Sequence, residues 1–414
     1  MSTRLPVLQE GHVVTLLEGG RAYFPALEQA IDASRDEVRM ETYMFCFDQA
    51  GQAIAEALVR AAGRGVQVHL VVDGAGTPTL PAHWESRFQE AGVLWHVYSP
   101  MGPVGWLLPS RWRRLHRKLC VIDRCTAFCG GINVLDDFED PHHGHLRAPR
   151  VDFAVQVRGP LVGAAHEVIR QFWWRLQARS SASEGQLPSA WAALRASARS
   201  ADAAGKRPLA VAENGKAVHV TDSTVRAALL LRDNLRHRSH IERAYRKAIG
   251  EARRDVLIAN AYFLPGVRLR AALLHAARRG VRVRVMLQGR YEYFMQYHAA
   301  RPAYLALLEA GVEIIEYDQS FLHAKVAVID GHWATVGSSN LDPLSLLLAR
   351  EANVVVDDTA FAADLQSRLE QAMAAGGKRI QAREFALRGW WSRGISWSAY
   401  GLMRALLWVT GKRY

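Results

Sequence analysis

Little in this sequence points to a secreted or membrane-spanning protein. Four cysteines in 414 residues, Cys46, Cys120, Cys125 and Cys129, are too few for a disulfide framework. No CxxC pair offers a zinc site, so they are expected to be reduced, buried thiols. No stretch approaches the ~20 uncharged apolar residues of a spanning helix, and the opening MSTRLPVLQEGH lacks the apolar core of a signal peptide. The expected location is therefore cytoplasmic, with membrane contact only at the surface. Acidic residues are also in short supply: 40 Asp and Glu face 52 Lys and Arg, a formal net charge of +12. That excess calls for a polyanionic partner, either nucleic acid or an anionic membrane surface. With 50% hydrophobic and 22% charged residues the chain has ample material for a core, which argues against disorder.

What the sequence does contain is one unit written twice. FPALEQAI has apolar residues at helical spacing and leads into the strand-like VRMETYMF. The helical QAIAEALVRAAGRG, the strand VQVHLVV, the turn Asp73-Gly74 and AGVLWHVY follow. The same order returns as IERAYRKAIGEARRDVLIANAYFLPG, LRAALLHAARRG, VRVRVML, Gln288-Gly289 and AGVEIIEY. Gly65 aligns with Gly280 at an offset of 215, and Gly92 with Gly311 at 219, so the chain is read as a duplication. Alternating strands and helices predict an α/β fold of two tandem repeats, each a mixed β-sheet flanked by helices and related by a pseudo-twofold axis with one shared active site. The expected boundaries are a first repeat over 1–178 (motif 110–137), a Ser/Ala/Gly-rich linker over 179–212 with a short helix around Trp191, and a second repeat over 213–380 (motif 317–344). A basic aromatic segment over 381–414 completes the chain.

Each repeat ends in the same constellation. The first reads His116-Arg-Lys118, Asp123, then Gly130-Gly131-Ile-Asn133; the second reads His323-Ala-Lys325, Asp330, then Gly337-Ser338-Ser339-Asn340. LHRKLCVID and LHAKVAVID are strand-like, and residues i and i+2 of a strand emerge on one face, so each His stands beside its Lys. Small residues such as Gly131 and Ser338 let backbone approach an anion, and the Asn133 and Asn340 amides can donate to it. Two half-sites of this kind make a phosphate site. Asp152 lies 36 residues after His116 and Glu351 lies 28 after His323. A carboxylate on one ring nitrogen fixes the tautomer and strengthens the other nitrogen, so both are assigned as histidine-orienting residues.

The motif HxKx4Dx6G(G/S)xN, present twice, resembles the phospholipase D superfamily, and the resemblance covers both repeats. RDNLRHRSHIERAYRKAI, LIANAYFLPG and the aromatic basic tail are further similar to the bacterial cardiolipin synthases, the shorter type B in particular. The resemblance implies ping-pong transfer at phosphorus without metal or cofactor. His116 would be the nucleophile and His323 the acid/base, while Lys118, Lys325, Asn133 and Asn340 stabilise charge on the nonbridging oxygens. Asp123 and Asp330 belong to the catalytic motif and are expected to brace its turn or its lysine. Phosphatidylglycerol as donor and acceptor would give cardiolipin and glycerol; water as acceptor would give phosphatidic acid instead.

Two acid-free stretches hold most of the charge. Pro100 to Lys118 carries +5 and includes an insertion of 12 residues relative to the second repeat; Phe385 to Tyr414 carries another +5 with four tryptophans. Trp106, Leu107, Leu108 and Trp112 beside arginines suit a bilayer surface, and the tail reads as an interfacial helix with Ile395, Leu402, Leu406 and Val409 on one stripe. The expected setting is thus a peripheral protein on the cytoplasmic face of the bacterial inner membrane, acting on an anionic phospholipid, with no nucleic acid and no obligate protein partner. A nuclease of the same superfamily is the competing reading of the net charge, and a non-catalytic membrane scaffold is disfavoured by the two intact His/Lys pairs. His142-His143-Gly-His145 resembles a metal tract but lacks the carboxylate spacing of a site, so it is placed in the loop leading to Asp152.

Overall fold

The computed structural model describes residues 5–102, 109–183, 225–233, 239–290, 294–342 and 349–383, together with residue 237 and short stretches between 188 and 218 and between 394 and 402. It divides into two compact units that do not follow the halves of the chain. The first holds Pro6–Asp136 and Ala154–Leu229; the second holds Asp137–Phe153 and everything from Leu230 onward.

In the first unit the elements are β1 (Val13–Glu18), α1 (Gly19–Asp32), β2 (Glu37–Thr42), α2 (Gln49–Gly63), β3 (Gln67–Asp73), α3 (Ala82–Ala91), β4 (Leu94–Tyr98), β5 (Lys118–Ile122), β6 (Thr126–Gly130), β7 (Phe153–Arg158) and α4 (Leu161–Ser183). The sheet order is β1-β7-β6-β5-β2-β3-β4. β2, β3 and β4 run parallel, as the intervening helices require, and β5, β6 and β7 are added antiparallel. Leu27, Ile31, Ile54 and Leu58 of α1 and α2 pack with Val38, Val68, Leu70 and Phe128 of the sheet. Phe172 and Trp173 of α4 gather instead with Val71, Tyr98 and Leu115. A strand covered on both sides is largely apolar, and Lys118-Leu-Cys-Val-Ile122, apolar after its first residue, is buried at every position. The expected linker begins inside α4, and helical residues flank an exposed Trp191.

The second unit repeats the plan with β8 (Arg226–Arg232, entering the unit at Leu230), α5 (His240–Glu251), β9 (Asp255–Asn260), α6 (Val267–Arg278), β10 (Arg282–Gln288), α7 (Phe294–Glu309), β11 (Glu313–Tyr317), β12 (Lys325–Ile329), β13 (Trp333–Gly337), β14 (Ala349–Asp357), α8 (Thr359–Gly376) and β15 (Gly377–Arg379). Its sheet order is β8-β14-β13-β12-β9-β10-β11-β15. Again three parallel strands, β9, β10 and β11, meet an antiparallel set beginning at β12. α8 starts on an Asp358 cap, whose carboxylate accepts the Phe361 N–H at 2.7 Å, and buries Phe361, Leu365 and Leu369. The mixed α/β fold of two similar sheets flanked by helices is thus as the sequence leads one to expect. All four cysteines are free thiols.

Candidate active site

In the first unit, His116 and Lys118 leave one face of the strand while Arg117 points to the other. There Arg117 is buried, with its Nε 2.6 Å from the equally buried Glu41 carboxylate. The Lys118 ammonium donates to the His116 carbonyl at 3.0 Å, fixing the pair from within. Tyr43, just past the end of β2, serves both: its ring lies 5.1 Å from the His116 ring and 5.4 Å from the Lys118 nitrogen. Burial, and then the nearby Asp73 charge, push the Tyr43 phenol above its ordinary range, which keeps it neutral. Asp73, at the end of β3, accepts the Leu115 N–H at 2.6 Å and the Arg114 guanidinium at 2.9 Å. It thereby clamps the residues directly before His116. The Asn133 carbonyl oxygen accepts the Met44 N–H at 3.3 Å, which leaves its amide hydrogens for other partners.

In the second unit, Lys325 is fully buried and donates to the His323 carbonyl. The carboxylate on His323 is Asp152, whose Oδ2 lies 2.6 Å from Nδ1. Segment 137–153 belongs to this unit and is laid alongside the motif by backbone bonds: Val151 N–H to Phe321 O at 2.9 Å and His323 N–H to Val151 O at 2.8 Å. Asp152 is 2% exposed and its other oxygen accepts the Phe153 N–H at 2.8 Å. A carboxylate so held takes the Nδ1 proton and leaves Nε2 for chemistry.

Several expectations are corrected by this geometry. The carboxylate bonded to His323 is Asp152, from the segment that follows the first motif, whereas chain spacing pairs Asp152 with His116. Spacing along the chain suggested the wrong histidine because the 137–153 segment crosses into the second unit. Glu351 is fully buried and accepts the Ser338 hydroxyl. Ser338 is therefore not a phosphate donor in the form expected: its N–H also goes to Ala352 O at 3.0 Å, and its oxygen accepts the Ala352 N–H at 3.1 Å. Gly337 is small for another reason than anion approach, since a Cβ there would sit 2.2 Å from the Asn353 side chain. Gly131 is buried beside the Asn133 turn.

Asp123 and Asp330 touch no reacting group. Each follows its strand at the end away from the histidine, roughly 20 Å along the chain. Asp123 accepts the N–H groups of Arg35, Asp36 and Glu37 at 2.8–2.9 Å, and Asp330 those of Arg253, Arg254 and Asp255 at 2.8–3.0 Å. Burial would raise the Asp330 pKa, but the N–H groups of Asp255, Arg253 and Arg254 and the Arg254 charge outweigh it and hold the carboxyl below its ordinary value. Both aspartates tie the motif hairpin to the start of the neighbouring parallel strand.

Sequence reasoning missed Tyr43, Asp73, Gln288 and Asn260. Gln288 repeats the part of Asp73, accepting the Leu322 N–H at 3.0 Å directly before His323, and Asn260 accepts the Leu341 N–H at 3.0 Å directly after Asn340. The signal was present as Asp73-Gly74 and Gln288-Gly289, recurring at one place in both copies. His143 and His145 bond to Asp140 at 3.0 Å and Glu139 at 2.9 Å, and the His143 ring lies 5.0 Å from that of Phe321. Among the described residues no group of three His, Cys, Asp or Glu could hold a metal. Trp106, Leu107 and Leu108 lie outside the described residues, while Trp112 is half-buried. Most of the 385–414 tail also lies outside them. Of its described positions, Ser396 and Ala399 are buried whereas Ile395 and Leu402 are exposed. Among the described residues no helix is long and apolar enough to cross a membrane.

A mixed sheet that presents a His-x-Lys strand, built twice in one chain, defines a phospholipase D-like enzyme. Residues 27–137 and 245–373 match the family described as cardiolipin synthase, PLD-like domain, and the chain belongs to that family. It is 37% identical to cardiolipin synthase B of Escherichia coli over 396 residues, 96% of this chain and 89% of that protein. It is 30% identical to cardiolipin synthase A of Pseudomonas putida, covering 89% of this chain and 70% of that one. Among solved structures, phosphatidylserine synthase of Haemophilus influenzae matches with a TM-score of 0.65 at 12% identity, over 97% of this chain and 95% of that chain, which is a likeness of fold.

Proposed function

We propose that the protein is a cardiolipin synthase: a phosphatidyltransferase that moves a phosphatidyl group from one phosphatidylglycerol to a hydroxyl of another, releasing glycerol. The observation that carries this reading is the buried Asp152 carboxylate set on His323 in a chain that keeps both His-x-Lys pairs. A scaffold has no use for either.

In the first half of the reaction, Nε2 of His116 attacks phosphorus, the phosphorus–oxygen bond to the glycerol headgroup breaks, and the leaving alkoxide takes a proton from Nε2 of His323. Neutral His323 then removes the proton of the incoming hydroxyl, whose oxygen attacks the phosphohistidine and expels His116. Asp152 favours this exchange by stabilising the imidazolium that His323 is before the first half and becomes again as it deprotonates the acceptor in the second. Lys118 and Lys325, with the amides of Asn133 and Asn340, stabilise charge on the nonbridging oxygens. The reading needs both half-sites to act on one phosphorus.

The enzyme is further proposed to act as a peripheral protein on the cytoplasmic face of the inner membrane, docked through Trp106 to Trp112 and the 385–414 tail. The pattern of the tail supports this: small Ser396 and Ala399 are turned inward while the larger Ile395 and Leu402 stand 42% and 54% exposed. Incubation with phosphatidylglycerol vesicles and mass spectrometry of the lipids should show cardiolipin, and His116→Ala and His323→Ala should each reduce it to background. Cleavage of DNA without cardiolipin formation would replace this reading with a nuclease. Deleting 385–414 should weaken sedimentation with vesicles; unchanged binding would refute the anchor.

A further inference from the structure

The two half-sites differ in what they leave unbonded. In the first, the strand-end residues have their side-chain oxygens engaged. Asp73 accepts from Leu115 and Arg114, the Thr42 hydroxyl donates to the Met44 carbonyl at 3.0 Å, and the Asn133 oxygen is taken by the Met44 N–H. In the second, the corresponding residues are amides. Gln288 Oε1 accepts the Leu322 N–H and Asn260 Oδ1 accepts the Leu341 N–H. Because only the oxygen can accept, these backbone bonds settle which way each amide is turned. The nitrogens, Asn260 Nδ2 and Gln288 Nε2, are then without a partner among the described residues, and so is the acceptor Asn340 Oδ1. Asn260 is 0%, Gln288 9% and Asn340 4% exposed. Three unmade bonds among buried amides around one motif are costly, and native interiors rarely leave them without a ligand or water.

Their placement is specific. Asn260 stands directly opposite Lys325 in the β9–β12 register, so its side chain shares the sheet face of Lys325 and His323. Gln288 is tied to the residue before His323, and Asn260 to the residue after Asn340. A phosphate oxygen can only accept, and it would leave Asn340 Oδ1 unmet. A hydroxyl accepts and donates together, so two donors and one acceptor fit neighbouring hydroxyls of a polyol.

We propose that Asn260, Gln288 and Asn340 form the alcohol subsite of the second half-site. There the amide hydrogens of Asn260 and Gln288 hold hydroxyl oxygens of a glycerol-type headgroup while Asn340 Oδ1 takes a hydroxyl proton. Asn340 then serves both reactants, with Nδ2 for phosphate and Oδ1 for alcohol. The leaving and the incoming alcohol use this subsite in turn, next to the base His323. The inference rests on the phosphatidyl transfer proposed above.

The test uses the full chain on phosphatidylglycerol vesicles with added isotope-labelled glycerol or 1-propanol, scoring phosphatidyl transfer into each. The wild type should favour glycerol by about tenfold or more in kcat/KM. Gln288→Glu and Asn260→Asp keep the oxygen that the backbone N–H requires and remove the donors; the fold accepts a carboxylate at the first of these places, as Asp73 shows. Each should bring the glycerol-to-propanol ratio towards one, chiefly through the KM for glycerol. A charge effect on phosphate would slow both alcohols together and leave the ratio where it was. A wild-type ratio in both variants, whatever the rates, overturns the subsite and assigns these amides to structural water. Transfer to neither alcohol by a wild type that still forms cardiolipin would overturn the subsite; absence of cardiolipin as well would overturn the proposed function, and the subsite with it.

Discussion

The two units present the same His-x-Lys strand and secure it by different means. In the first, the reacting pair leans on an aromatic ring and a salt bridge: Tyr43 lies against His116 and Lys118, and the Asp73–Arg114 clamp fixes the residues before them. In the second, Ala261 stands at the place of Tyr43 and Gln288 at that of Asp73, and a buried carboxylate, Asp152, takes hold of the imidazole itself. The contrast extends into the cores. His69 on β3 and Arg284 on β10 are related by the same offset of 215 as Gly65 and Gly280. Arg284 is bound at 2.9 Å to both Asp255 and Glu370, whereas His69 lies against the ring of Trp173 at 4.6 Å. Duplication thus kept the His-x-Lys pairs in place while their supports diverged.

The sharpest way to break this comparison is at Asp152. Asp152→Asn keeps the shape but can present an amide to Nδ1 and hold the wrong tautomer of His323. Turnover should fall about 10³–10⁴-fold, as it does when the orienting carboxylate of other histidine-based enzymes is neutralised. KM for the lipid should change little. Ser338→Ala, which removes a neighbour of Glu351 but no group on His323, should cost far less. Turnover within tenfold of wild type in Asp152→Asn would show that the 2.6 Å contact does not govern the base.

The difference in core charges predicts that acid weakens the first unit before the second. Burial, reinforced by the Arg39 charge, pushes the His69 imidazole down to about 4 against an ordinary value of 6.5. The Glu37 charge and the Gln67 backbone favour the protonated ring, but they offset only part of the effect of burial. A depressed histidine takes its proton more readily in the unfolded chain. The stability it contributes is present above about 6.5 and is lost progressively as pH falls towards 4, by about 3 kcal/mol in full. Urea unfolding followed by tryptophan fluorescence should show that loss between pH 7.5 and 4.5, and His69→Leu should flatten it. An equal loss in the variant would transfer the effect to His96 or Glu37.

The sequence made the repeat, the sheet strands and the reacting pairs legible because each rests on local signals: strand alternation, residues at i and i+2, and recurrence. It also exposed Asp152 as an orienting carboxylate, yet matched it to the wrong histidine. Which partner a buried carboxylate meets depends on where residues 137–153 are laid, and no spacing rule encodes that. The size of Ser338 alone suggests an anion contact, whereas Glu351 and Ala352 of β14 explain it. Asn260 and Gln288 escaped notice because a strand-end amide acquires meaning only from cross-strand register.

The smallest contrast is also the easiest to move from one unit to the other. Each motif hairpin turns through two residues of positive φ, Asp123 at 48° and Arg124 at 58° in the first, Asp330 at 52° and Gly331 at 70° in the second. Aspartate tolerates this region, glycine occupies it freely, and arginine does so at about 1 kcal/mol or somewhat more. Arg124 recovers part of that through Glu37, with Nε 2.7 Å from Oε1, but its side chain is more than half exposed, so the ion pair contributes only a few tenths of a kcal/mol. Arg124→Gly should therefore raise the midpoint of unfolding slightly, by under about 1 kcal/mol, and Gly331→Arg should lower it by about 1 kcal/mol or a little more. Both follow from denaturant titration at pH 7.5, with transfer activity unchanged because the turn lies at the far end of the strand from each histidine. If Arg124→Gly destabilises the protein instead, the Glu37 contact outweighs backbone strain and the two turns are equivalent in all but sequence.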